Sequence, residues 1–207
     1  MSVSTLTLSA AEEQAVHDAY MRVSHAFEGD QAIRASLYAD YAQFFSPDDL
    51  VLDFGCGDGT WLQVLADRGI RGVGIDYDPE KVARVHARGL EAICSSRLAD
   101  AAERRPTALT AMHIIEHLTP MDVMRLLMTL DVQKVVLLTP NIDLPLVQGT
   151  FWRDVTHVRP YPRVVMEEMC RQAGFSGVVS GTQNSELDSW VFAYKPGTPG
   201  WMEPAQS

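Results

Sequence analysis

Three side chains in the run TAMHIIEHL, Thr110 to Leu118, could carry chemistry together: His113, Glu116 and His117. Spaced i, i+3 and i+4, they fall on one side of a helical turn. Two imidazoles and a carboxylate there suit either proton transfer or coordination of Zn, Mn, Fe or Ni. A second group lies in FWRDVTHVRPYP. Trp152 and Tyr161 offer flat apolar faces, Arg153 and Arg159 offer bidentate donors, and His157 is an imidazole that could swing back toward His117. A third is the turn in VLDFGCGDGTWL, where Gly55, Gly57 and Gly59 leave almost no side chains between strand and helix. A ligand there touches backbone and a helix N-terminus. Position 60 is threonine, where a dinucleotide fingerprint wants glycine. Asp76 ends the next apolar run, where a carboxylate accepts hydrogen bonds from both hydroxyls of a ribose. The plainer alternatives are a tight turn with a helix-capping acid, His113 as a cavity wall, Glu116 as a helix cap and His117 bonded to a backbone carbonyl.

These residues must be positioned by the elements around them. Ser9 and Glu12 have capping-box spacing, and Val16, Tyr20, Val23 and Phe27 recur at helical period until Gly29. A second helical stretch with Ile33, Leu37 and Tyr41 ends before Ser46-Pro47. Strand-like LVLDF from Leu50 is followed by a helix with Trp61, Leu62 and Leu65 that Gly69 closes. RGVGID, ending at Asp76, precedes a helix capped by Asp78 with Pro79 in its first turn. Further strands are predicted at Leu90–Cys94, Ala108–Ile114 and Lys134–Thr139, with a helix capped by Thr119 before the last of these. A helix near Val164–Ala173 stops at Gly174. The runs Phe175–Thr182 and Trp190–Tyr194 are close enough to pair antiparallel. Such alternation predicts an α/β fold: a doubly wound, mostly parallel sheet covered on both faces. Ligands of such sheets sit at the carboxyl ends of the strands, where all three groups fall. Residues 142–161 show no clear periodicity and read as a long loop, of the kind that is usually functional or disordered.

DFGCGDG followed by GIDYDP resembles the first two motifs of the class I S-adenosylmethionine-dependent methyltransferases. From about Leu50 to Tyr194 the element order is similar to that seven-stranded Rossmann-like fold with its antiparallel last strand. The resemblance implies that S-adenosylmethionine is bound by Asp53, Gly55, Gly57 and Gly59, with Asp76 and Tyr77 at the ribose. Ser95 then stands near the adenine, in CSS where such enzymes often present an acid, and His113 borders both cofactor and acceptor. The set His113, Glu116, His117 and His157 resembles the metal constellation of small-RNA 3′-terminal 2′-O-methyltransferases and ubiquinone-pathway O-methyltransferases, with His113 replacing their first glutamate. The combination of HIIEHL and DVTHVRPYP is similar to bacterial methyltransferases acting on glycans or sugar-bearing metabolites. That likeness implies a sugar-stacking role for Trp152 or Tyr161 and acceptor contacts for Arg153 and Arg159.

Bulk properties narrow the choice. At 207 residues and 46% apolar, the chain is long enough for one core and short for two, so residues 1–207 read as one domain. Within it, 1–46 form a helical N-terminal cap, 50–195 the catalytic core and 196–207 a disordered tail. A net charge of −10, with lysine at only three of seventeen basic positions, disfavours nucleic acid. No stretch reads as a signal peptide or membrane span, so a cytoplasmic protein is expected. Cys56, Cys94 and Cys170 read as reduced thiols in or near the core. The expected function is methylation of a hydroxyl on a sugar or small hydroxylated metabolite. The catalytic set is His113, His117 and His157, acting with a divalent metal ion or directly as acid and base. A small-RNA 2′-O-methyltransferase, a nicotinamide-dependent oxidoreductase and a non-catalytic cofactor-binding partner subunit are the alternatives. The oligomeric state is not legible.

Overall fold

The computed structural model describes residues 9–26 and 31–198. Helices α1 (Ala10–Ala26) and α2 (Gln31–Tyr38) lead through a 3-10 stretch at Ala39–Phe44 into the alternating body. That body runs β1 (Leu50–Phe54), α3 (Thr60–Asp67), β2 (Arg71–Asp76), α4 (Pro79–Ala87), β3 (Ala92–Cys94), α5 (Leu98–Ala102), β4 (Ala108–Met112), α6 (Pro120–Thr129), β5 (Lys134–Pro140), α7 (Pro145–Phe151), α8 (Arg163–Gln172), β6 (Gly177–Gln183) and β7 (Asp188–Tyr194). The seven strands are ordered β3-β2-β1-β4-β5-β7-β6. All neighbouring pairs are parallel except β5–β7 and β6–β7. The order reverses between β1 and β4, so the ends of β1, β2, β4 and β5 open onto one crevice.

Alternation along the central strands builds two cores. Leu52, Leu109 and Leu137 pack with α6 and α8 on one face. Their neighbours Val51, Ala108 and Val136 pack on the other with Trp61 and Leu65 of α3 and with Tyr41 and Phe44. Predicted caps are present. Asp78 accepts from the Glu80 amide at 2.8 Å, and Thr119 Oγ1 accepts from the Asp122 amide at 3.2 Å. At the far end of the sheet Lys134 Nζ lies 2.8 Å from Asp49 Oδ2, both side chains being buried.

Several expectations are corrected. The aperiodic 142–161 segment contains α7, opened by Pro145, because Val147 and Phe151 are buried there. Strand β4 stops at Met112 rather than Ile114, since His113 takes a left-handed φ of +52°. The tail packs as far as Thr198, whose hydroxyl donates to the Lys195 carbonyl at 2.6 Å. Cys94 is exposed, unlike Cys56 and Cys170. The Ser9–Glu12 capping box forms, but Val16 is 55% exposed. The side chains of Tyr20 and Val23, Phe27, and residues 199–207 lie outside the description. No helix among the described residues is long and apolar enough to cross a membrane.

Candidate active site

A cavity of about 750 Å³ occupies the crevice, walled by the glycine turn, the ends of β2 and β4, α2 and residues 150–157. Gly55 sits at φ +74°, and a Cβ there would lie 2.5 Å from Ile114 Cγ1, so the cradle closes only around glycine. The Gly57 amide donates to Asp76 Oδ2 at 2.9 Å, and the Asp78 amide donates to Asp76 Oδ1 at 2.9 Å. Asp76 therefore braces the turn while each of its oxygens keeps a lone pair. Gly59 does not line the cavity. A Cβ there would lie 3.0 Å from Val85, so this glycine lets α3 pack closely against α4. Gly55→Ala is expected to lose cofactor binding and about 1–3 kcal/mol of stability, read by calorimetry and urea unfolding.

Asp53 is fully enclosed and accepts from Thr110 Oγ1 at 3.0 Å. Burial pushes its carboxyl up to about 8, against the Thr110 hydrogen bond and with the Asp76 charge adding. Tyr77 and Ser95 line the same half of the cavity. The Ser95 hydroxyl donates to Asp100 at 2.6 Å. One residue here escaped sequence reasoning. Arg34 of α2 reaches over the turn, its Nη2 lying 3.2 Å from Asp58 Oδ2, and its buried Nε has no hydrogen-bond partner. Nothing in QAIRASLY distinguishes this arginine; only the docking of α2 on the glycine turn brings it in.

The other half of the cavity holds the histidines. Glu116 and His117 lie in a 3-10 turn, Ile115–His117. The amides of Val158 and Arg159 donate to the Glu116 carbonyl at 2.8 and 3.1 Å, which straps the 152–162 segment against that turn. His157 Nδ1 then faces the Phe151 carbonyl at 2.7 Å, and His117 Nδ1 faces the Thr156 carbonyl at 3.1 Å. A carbonyl only accepts, and the Thr156 hydroxyl, 2.9 Å from His117 Nδ1, gives its own proton to Asp154 at 2.6 Å, so the contacts favour a proton on Nδ1 of both rings and a lone pair on Nε2. One ligand atom from each of Glu116, His117 and His157 lies within 4.8 Å of the others. The second Glu116 oxygen accepts from Thr139 Oγ1 at 3.0 Å. Asp154, unforeseen from sequence, stands 3.7 Å from His157 Nε2 and is oriented by the Thr156 amide and hydroxyl.

His113 falls outside this trio, which corrects the four-residue ligand set. Its left-handed backbone turns the ring between Glu116 (Nδ1, 3.5 Å) and Asp188 (Nε2, 3.8 Å), stacked on Tyr38 at 6.4 Å. Burial opposes charge on this imidazole, but the Glu116 hydrogen bond and the two carboxylates outweigh it and raise its affinity for a proton. Burial likewise opposes charge on Glu116, and the bond to His113 wins, holding that carboxyl below the usual range. Among the predicted acceptor residues only Arg153 lines the cavity. Tyr161 is buried, with its hydroxyl donating to the Leu118 carbonyl at 2.8 Å, so it offers no face to a sugar. Arg159 lies over that ring, 5.8 Å from its centroid. Trp152 is 59% exposed outside the cavity wall. Each was predicted from residue type; which way the chain turned decided the outcome.

The sheet order, the glycine turn after β1 and the acid ending β2 define the Rossmann-like architecture of S-adenosylmethionine-dependent methyltransferases. A methyltransferase-domain family model matches residues 30–180, and the chain belongs to that family. In structure it is similar to a SAM-dependent methyltransferase from Archaeoglobus fulgidus (TM-score 0.73, 19% identity, 85% of this chain and 99% of that one). It is also similar to human N-acetylserotonin methyltransferase in complex with SAM (TM-score 0.62, 13% identity, 78% and 51%). In sequence it is 37% identical over 75 residues to a ubiquinone biosynthesis O-methyltransferase of Alkalilimnicola ehrlichii. That alignment spans 32% of this chain and 30% of the relative.

Proposed function

We propose that this chain transfers a methyl group from S-adenosylmethionine to a hydroxyl of a sugar or another small hydroxylated metabolite, with a divalent cation held by Glu116, His117 and His157. The observation that carries the reading is a pair of imidazoles, each with Nδ1 against a backbone carbonyl, that bring a ring nitrogen apiece within 4.8 Å of one Glu116 carboxylate oxygen. Ligating histidines are oriented in this way.

The cavity residues fit the donor. Asp76 retains acceptor capacity for a ribose diol, Gly55 and Gly57 let the backbone approach, and Arg34, which lines the cavity, offers its guanidinium to a carboxylate. S-adenosylmethionine supplies an electrophilic methyl, and a divalent cation lowers the pKa of an oxygen bound to it. What the chain must do is hold the hydroxyl in line and take its proton. Asp154, beside His157 Nε2, is placed to receive that proton. The named O-methyltransferase relative supports the choice of oxygen. A net charge of −10 opposes the RNA alternative.

Arg34→Ala is expected to weaken S-adenosylmethionine binding roughly tenfold to a hundredfold, the loss of one charge-assisted hydrogen bond, with Arg34→Lys restoring part of it. Equilibrium titration without acceptor measures this. The function itself is tested by transfer of labelled methyl into fractionated host extract, with and without chelator. Label in small hydroxylated compounds, lost with chelator and restored by metal, supports the reading. Label in RNA, or label indifferent to chelator, refutes the substrate class or the metal respectively.

A further inference from the structure

The tip of the β6–β7 hairpin is unusual in its backbone. Asn184, Ser185 and Glu186 follow one another at φ +55°, +55° and +68°, a left-handed run that residues with side chains avoid. Strain of this kind persists only where the surroundings over-determine it. Here Asn141, at the end of β5, does so: its Nδ2 donates to the Glu186 carbonyl at 2.8 Å and its amide to the Leu187 carbonyl at 2.8 Å. The Leu187 amide closes the turn onto the Asn184 carbonyl at 3.1 Å.

The clamped tip delivers two polar side chains to the cavity. Asn184 and Asp188 both line it, beside His113. Asp188 is 8% exposed, and its Oδ2 accepts from Asn184 Nδ2 at 3.1 Å. Its Oδ1 has His113 Nε2 at 3.8 Å, beyond hydrogen-bond reach. Because His113 turns its other nitrogen to Glu116, Asp188 and the Glu116–His117–His157 trio stand at opposite edges of one imidazole. An acceptor with a hydroxyl at the trio thus meets, on the far side of His113, a carboxylate oxygen lacking a close donor and an amide beside it.

We propose that Asp188 and Asn184 form a second acceptor subsite, which takes a hydroxyl other than the one methylated and makes the preferred acceptor a diol or polyol. The second hydroxyl donates to Asp188 Oδ1 and accepts from the Asn184 amide. The proposal rests on the O-methyl transfer reading above and deepens it. An acceptor without that hydroxyl leaves Oδ1 of a buried carboxylate without a close donor, and sites built to bond a hydroxyl reject analogues that lack it.

The probes are methyl β-D-glucopyranoside and its 2-, 3-, 4- and 6-deoxy analogues, assayed with labelled S-adenosylmethionine and Mn²⁺ against wild type, Asp188→Ala and Asp188→Asn. For wild type, at least one deoxy analogue is expected to lose tenfold or more in kcat/KM, chiefly through KM. Asp188→Ala is expected to treat that analogue and its parent alike, with S-adenosylmethionine affinity unchanged. Asp188→Asn, which preserves shape, shows the same indifference if the alanine variant fails to fold. Equal loss on every acceptor, or no discrimination by wild type, overturns the subsite. Where no glycoside is methylated, their binding to the S-adenosylhomocysteine-saturated protein is measured. A parent-over-deoxy preference that disappears in the variants supports the subsite; absence of binding or of preference overturns it. The O-methyl reading fails separately, by the absence of label from hydroxylated compounds in extract.

Discussion

Glu116→Gln lowers the rate of methyl transfer by roughly two to four orders of magnitude, while S-adenosylmethionine binds within about twofold of wild type. The substitution keeps the side chain's shape and its reach to Thr139, whose hydroxyl lies 3.0 Å from Oε2, so the fold has no reason to change. What disappears is the one charge in the trio with His117 and His157, and with it one of the two carboxylates flanking His113. His117→Ala shares the effect by removing a lone pair that the Thr156 carbonyl had oriented. The two activity losses combine less than multiplicatively, as expected for side chains that act as a unit. Single-turnover rates at saturating cofactor, beside equilibrium cofactor binding, give the measurement. A rate within fivefold of wild type for Glu116→Gln would remove this carboxylate from the chemistry.

Lys134→Met costs about 3–5 kcal/mol of stability and leaves the chemistry intact. Lys134 Nζ and Asp49 Oδ2 are 2.8 Å apart with side chains 6% and 11% exposed, at the end of the sheet opposite the cavity. Asp49 also accepts from the Ser46 amide at 2.8 Å and from the Thr107 hydroxyl at 3.3 Å, and that hydroxyl in turn accepts from the Leu50 amide at 2.9 Å. This network joins the entrance of β1 to that of β5. Removing the lysine strands a buried carboxylate. Burial opposes charge on Asp49, but the Lys134 and Ser46 hydrogen bonds win and hold its carboxyl below the usual range. A depressed carboxyl contributes stability that is complete above its unfolded pKa of about 3.9 and is lost as pH falls through the folded value. The difference between wild type and variant in urea unfolding should therefore be full at pH 7 and shrink below about pH 4. A difference under 1 kcal/mol at pH 7 would show the pair to be dispensable.

Much of the fold was legible in the linear chain. Capping residues Asp78 and Thr119, each followed by proline, and the closing glycines Gly69 and Gly174 mark helix ends through local steric and hydrogen-bonding preferences that need no tertiary contact. Apolar runs long enough to be buried on both faces announced β1, β4 and β5. The glycine turn and Asp76 were equally local, because a cradle for a ligand demands missing side chains at fixed spacing. Less legible was the 142–161 segment. Its helix α7 depends on burying Val147 and Phe151 against a partner that sequence does not name.

The acceptor side of the cavity shows where local reading ends. Which imidazoles, carboxylates and glycines the chain carries, and that they cluster at strand ends, was written in the sequence. Which of them face one another was decided only by the tertiary structure. His113 is removed from the trio by a left-handed turn, and His157 is brought in by two amides bonded to the Glu116 carbonyl. Tyr161 is drawn into the core, Arg34 is lowered onto the glycine turn by α2, and Asp188 arrives on a hairpin clamped by Asn141. Side-chain chemistry belongs to the residue and its near neighbours, whereas direction depends on packing between elements distant in sequence.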